Sequence, residues 1–187
     1  WSVIAIALLA LIAMVAGQRF ARSGQTPGAS TDLSANSAGT AMGPAPDISQ
    51  MTPDEQAQRL HDLIMGAFSR GHLDTVQMFM PMGIGAYEML PSLTLGQRYD
   101  LGRLGAVSGN ASLAAAEADT ILKQYPNHLL GLVLAAQAAE AEHDTAAERR
   151  YLDRLVKAAP VEEAKQLPEY QDHAADIRTA LAQAGKR

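Results

Sequence analysis

The sequence predicts an all-α chain. The expected architecture is an N-terminal transmembrane helix, a flexible linker and a short α–α solenoid closed by a C-terminal capping helix. Three observations predict it. Hydrophobic residues make up 48% of the 187 residues but aromatics only 5%, so alanine and leucine carry the apolar content, which favours helices over sheets. The first 17 residues carry no charge. The C-terminal part repeats its punctuation at a spacing of 34 residues.

The bulk numbers also exclude classes. A net charge of −5 gives no basic footprint for nucleic acid. The absence of cysteine removes disulfides, thiolate metal sites and cysteine nucleophiles together.

Residues 1–22 are the expected membrane anchor. At 1.5 Å per residue, "WSVIAIALLALIAMVAG" covers about 25 Å, slightly under a hydrocarbon core. Trp1 suits one interface, and Arg19 and Arg22 suit the opposite headgroup layer. Ala13 and Gly17 lie at i, i+4, a small-residue pair that lets another helix approach in a membrane. Residues 23–50 are rich in Gly, Ser, Thr, Ala and Pro. Such a stretch buries too little apolar surface to offset the entropy of ordering, so a tether is expected.

Residues 51–187 form the expected helical domain. "MTPDEQ" reads as a helix start, with Thr52 at the N-cap, Pro53 at N1 and Glu55 completing a capping box. Leu60, Leu63, Ile64, Ala67 and Phe68 make one apolar stripe, and Gly71 ends it. A second helix follows to about residue 90. In it Pro81 lacks an N–H and should clash with the carbonyl of Gln77, so a kink or break is expected there. "SGNASLAAAEADTILKQYP" and "EHDTAAERRYLDRLVKAAP" align without a gap, each reading as turn, amphipathic helix and proline stop. Helices at about 95–108 and 128–142 precede them. The repeats are thus expected at about 53–90, 95–126 and 128–160. Tyr170, Ala174, Ile177, Leu181 and Ala184 continue as one stripe of a capping helix at about 168–185.

With Leu101-Gly102, Ala114 and Pro126 in one repeat and Ala135-Ala136 and Pro160 in the next, the chain resembles the tetratricopeptide repeat family. It departs from the family pattern at Gly105 and Ala139, which stand where a tyrosine is usual, and at Glu148, which replaces a small residue. The interval from Gly71 to Gly109 is also four residues longer than the 34-residue period. The resemblance implies a concave groove lined by the first helix of each pair. Carried over position by position, it implies partner-binding residues His61, Met65, Tyr99, Arg103, Gln137 and Glu140.

The residues offer little for chemistry. Met78, Met80 and Met82 form M-x-M-x-M, a soft-ligand pattern that selects Cu(I). Residues two apart do not share a helix face, so core packing is the better reading and copper a minor one. No histidine pair has zinc-helix spacing, and "GIGAYE" lacks the context of a phosphate loop. No catalytic residue, metal or cofactor is expected. The expected function is that of a non-catalytic, membrane-anchored adaptor or scaffold, with no small-molecule substrate. It would bind a protein partner in the groove and lipid through residues 1–17. The expected location is a bacterial inner membrane, single-pass, with the helical domain in the periplasm. The layout is loosely similar to the repeat proteins of bacterial cytochrome c maturation, which would make the role one of complex assembly. The alternative is an accessory subunit built permanently into a large respiratory or photosynthetic complex.

Overall fold

Thr52 sets the first helix of the structure, a computed structural model that describes residues 51–186. Its hydroxyl accepts from the Glu55 amide at 3.3 Å, and the Glu55 carboxylate accepts from the Thr52 amide at 2.8 Å. Two of the four N–H groups that a helix start leaves unpaired are thereby satisfied. From there α1 runs Pro53–Ser69, followed by α2 Leu73–Glu88, α3 Leu95–Val107, α4 Ala111–Gln124, α5 Leu129–Ala141, α6 Thr145–Glu163, α7 Pro168–Asp172 and α8 Ala174–Ala184. No strand occurs among the described residues.

Three short turns make three helix pairs, α1–α2, α3–α4 and α5–α6. Each turn contains a residue in the left-handed region: Gly71 at φ 76°, Gly109 at φ 79° and His143 at φ 60°. The side chains of Asn110 and Asp144, 34 residues apart, then cap α4 and α6 by accepting from Leu113 and Ala147. A second capping box, between Thr94 and Gln97, starts α3. The four extra residues between Gly71 and Gly109 are shared out. α2 has 16 residues against 14 in α4. The linker 89–94 is longer than 125–128 by the same margin.

Both prolines expected to disturb helices sit inside unbroken ones. α2 continues through Pro81 and α6 through Pro160 to Glu163. Pro81 and Gln77 are both exposed, as are Pro160 and Val156. The carbonyl that each proline deprives of an N–H therefore faces solvent, where water replaces the donor. Of the kink or break expected at Pro81, the break does not occur, and the stop expected at Pro160 is corrected likewise.

Two apolar clusters hold the pairs together. Ile64, Ala67, Val76, Met80, Tyr87 and Leu104 join α1, α2 and α3. The larger cluster is centred on α5, whose residues are buried on nearly every side, and reaches α3, α4, α6, α7 and α8. α3 can lie against α5 because position 102 has no side chain: a Cβ on Gly102 would collide with Leu134.

The expected capping helix is split. His173, at φ −108° and ψ 23°, ends α7 and begins α8. The all-α class stands, but the membrane-spanning helix in the expected architecture does not: among the described residues no helix is long and apolar enough to cross a membrane. The expected anchor 1–22, its packing pair Ala13 and Gly17, and the linker 23–50 lie outside the described residues.

Candidate functional site

The inner face, where the first helix of each pair was expected to line an open groove, is covered by α7 and α8. Tyr99 on α3 is fully buried, and its hydroxyl donates to Asp176 of α8 at 3.0 Å. The Tyr99 ring lies edge-on to His173 with centroids 4.7 Å apart. Arg103 pairs with the same Asp176 at 3.5 Å. Gln137 and Glu140 line a small cavity closed by Thr179, Ala180 and Gln183 of α8. His61 is buried facing Asp100, and Met65 is half-buried against the first apolar cluster. Four of the six expected groove residues thus surround the chain's own C-terminal helix. α8 is amphipathic, burying Ile177 and Ala180, which explains why it settles there.

Sequence reasoning missed the polar cluster beneath that cover. Asp100 projects from α3 and is 2% exposed. One carboxylate oxygen, Oδ2, accepts from Tyr87 of α2 at 3.1 Å. The other, Oδ1, lies 3.4 Å from Nε2 of His61 and 3.4 Å from Nε2 of His173, with no hydrogen bond to either. His61 Nε2 is likewise buried without a hydrogen bond, while its Nδ1 faces Asp62 Oδ1 at 3.5 Å. Burial pushes the Asp100 carboxyl up to about 7, an effect the Tyr87 hydrogen bond partly offsets. Burial also lowers His61 and His173, so both rings are neutral at pH 7. Tyr87 is driven well above the usual phenol range by burial and by Asp100 beside it. The cluster can therefore take up or release one proton near neutrality. No clear mark of it stands in the sequence, because the residues that share the helix face of Asp100 are Gly96, Gln97, Arg103 and Leu104, a mixed set.

The M-x-M-x-M stretch divides by helical phase. Met80 is buried with Val76, Gly83 and Tyr87, whereas Met78 is 60% and Met82 50% exposed on the opposite side. The three thioethers do not converge, and among the described residues no group of three His, Asp or Glu could hold a metal ion. Met89, at 85% exposed, continues the outer stripe of Met78 and Met82. Beside it an open groove of about 680 Å³ is lined by Phe68, Leu73, Met80, Pro81, Ile84 and Val107. Glu88 is the one charged residue lining it. Packing alone, the sequence reading of these methionines, holds for Met80 and fails for its neighbours.

Neither a protein-family model nor a curated protein matches the chain.

Proposed function

We propose that residues 51–186 are a tetratricopeptide-like, non-catalytic adaptor that docks an amphipathic helix of a partner protein along the outer face of α2. One observation carries this: α2 turns a contiguous apolar face to solvent, with Met78, Met82 and Met89 on its crest and Phe68 and Leu73 exposed at the groove beside it. Large apolar side chains grouped on a surface are a sign of association. Flexible thioethers adapt to the shape of whatever they meet. The occupant is an amphipathic helix, because an elongated groove along a helix accepts apolar residues at i, i+3 or i+4, and i+7. It carries a lysine or arginine where it passes Glu88, the sole charge in the groove. The inner face along α3 and α5 is the weaker candidate because α8 already lies against Tyr99, Arg103, Gln137 and Glu140.

A photo-crosslinking residue in place of Met82 tests the proposal in the intact chain. The expected result is a crosslinked partner that is lost in Met78→Lys with Glu88→Lys and retained in Arg103→Gln. Met78, Met82 and Glu88 are exposed and Arg103 is half-buried in its pair with Asp176, so thermal melting checks that each variant keeps the fold. Capture unaffected by the α2 variants would overturn the proposal. Stoichiometric co-purification through detergent washing would favour a permanent structural subunit over an exchanging adaptor.

A further inference from the structure

A cavity of about 850 Å³ opens between α1, the N-terminus of α3 and α7. Four carboxylates line it, those of Asp62, Asp100, Glu169 and Asp172, together with His61 and His173. No lysine or arginine lines it, and Gln58 and Gln97 add side-chain amides. Asp62 accepts from Gln58 at 3.1 Å, and Glu169 lies 3.3 Å from His128. An acidic lining alone is often only a solvated surface. Here its floor is Asp100, nearly fully buried, with one oxygen that no hydrogen bond reaches. Buried polar atoms are nearly always paired, so an orphaned carboxylate oxygen below a cavity implies a missing donor.

The geometry points to this cavity as a binding site for an organic cation, an alkylammonium or guanidinium group. Such a group brings three to five N–H donors and no acceptor, and four carboxylates supply acceptors among the polar groups of the lining. Its charge offsets that of Asp100, the lining carboxylate held away from water, while Asp62 and Asp172 at the exposed rim add acceptors. An anion is disfavoured, because burial keeps both lining histidines neutral. A metal ion is disfavoured, because no three ligating groups converge among the described residues. The cavity is of a size to take a small organic ligand or the end of a long side chain.

The site carries its own pH dependence. A cation nearby favours the carboxylate form of Asp100, so binding strengthens as pH rises through neutrality. The groups facing Asp100 are His61 and Asp62 from α1, Tyr87 from α2, Tyr99 and Arg103 from α3, and Asp172, His173 and Asp176 from α7 and α8. Arg103 is the cation among them. It is paired with Asp176 and does not line the cavity.

The test is calorimetric titration of the full chain with putrescine and, separately, with a blocked Ala-Lys-Ala peptide, at pH 6 and pH 8. At least one probe is expected to bind saturably, with affinity rising about tenfold over the interval. Putrescine binding assigns a free amine, and peptide binding alone assigns a lysine side chain of a partner. Asp100→Asn is expected to fold, to weaken binding at pH 8 about tenfold or more, and to remove the pH dependence. Asp62→Asn should weaken binding while leaving the pH dependence in place. No saturable binding of either probe at pH 8 would overturn the inference, as would equal affinity in wild type and Asp100→Asn. Met78→Lys should leave this binding untouched, so it stands or falls separately from docking on α2.

Discussion

Replacing Asp100 by Asn should stabilise the protein most at alkaline pH and progressively less as the pH falls towards 4. In the fold the carboxyl titrates at about 7, against an ordinary value of 3.8. Because the folded value is the higher one, the protonated carboxyl stabilises the fold fully below the unfolded value. That contribution fades as pH rises to about 7, where the folded carboxyl ionises. Above that the protein holds a desolvated carboxylate beside two neutral imidazoles. A shift of this size, at 1.36 kcal/mol per unit, sets a ceiling of roughly 4 kcal/mol. Asn is uncharged throughout. Its oxygen still accepts from Tyr87, and its amide can donate to Nε2 of His61 or His173. A gain of about 2–4 kcal/mol is therefore expected at pH 8 and a smaller one, about 1–2 kcal/mol, at pH 5, which already lies above the ordinary value of 3.8, read from urea unfolding of the full chain and its variant. His61, His128 and His173 act in the opposite sense. Their folded values are depressed below 6.5. The stability they contribute is present above 6.5 and lost as pH falls below it, so the wild type should be most stable near pH 6–7. Equal destabilisation by Asn at both pH values would refute the reasoning. It would mean that Asp100 is held as a productive ion pair with a protonated histidine.

Three further substitutions probe the scaffold. Gly102→Ala should destabilise by about 1–3 kcal/mol despite the better helix propensity of alanine, because its Cβ meets Leu134, itself fully buried with nowhere to move. A denaturation midpoint equal to wild type would show that α3 and α5 do not approach as described. His143→Gly should stabilise by about 0.5–1 kcal/mol, since a side chain at φ 60° is strained where glycine is not. A loss of stability would place that turn outside the left-handed region. Pro160→Ala should add about 1–3 kcal/mol by restoring an N–H at an exposed position of a continuous helix, whereas a helix that ended there would show no gain.

What the sequence made legible follows from how local each signal is. The turns were readable because Gly71 and Gly109 need no partner beyond their own backbone, and the capping box at Thr52 closes within four residues. The prolines misled because their effect depends on where the orphaned carbonyl points. Gln77 and Val156 happen to face water, and nothing within a few residues of Pro81 or Pro160 says so. The site was harder for the same reason. Asp100, His61 and Tyr87 come from three helices and meet His173 only because the C-terminal segment bends there, between α7 and α8. A groove transferred from the family resemblance supplied Tyr99 and Arg103 as surface residues, yet Asp176 of the same chain takes both. That capture is physically consistent with the rest of the inner face. A buried tyrosine hydroxyl and a half-buried guanidinium each require a partner, and α8 carries its acid on the turn that reaches them. The unpartnered apolar surface is consequently displaced to α2, where Met78, Met82 and Met89 recur on one side because 3.6 residues per turn place i, i+4 and i+11 there. The sequence carried that stripe openly, and it was hidden only by Met80, whose burial made all the methionines look like core.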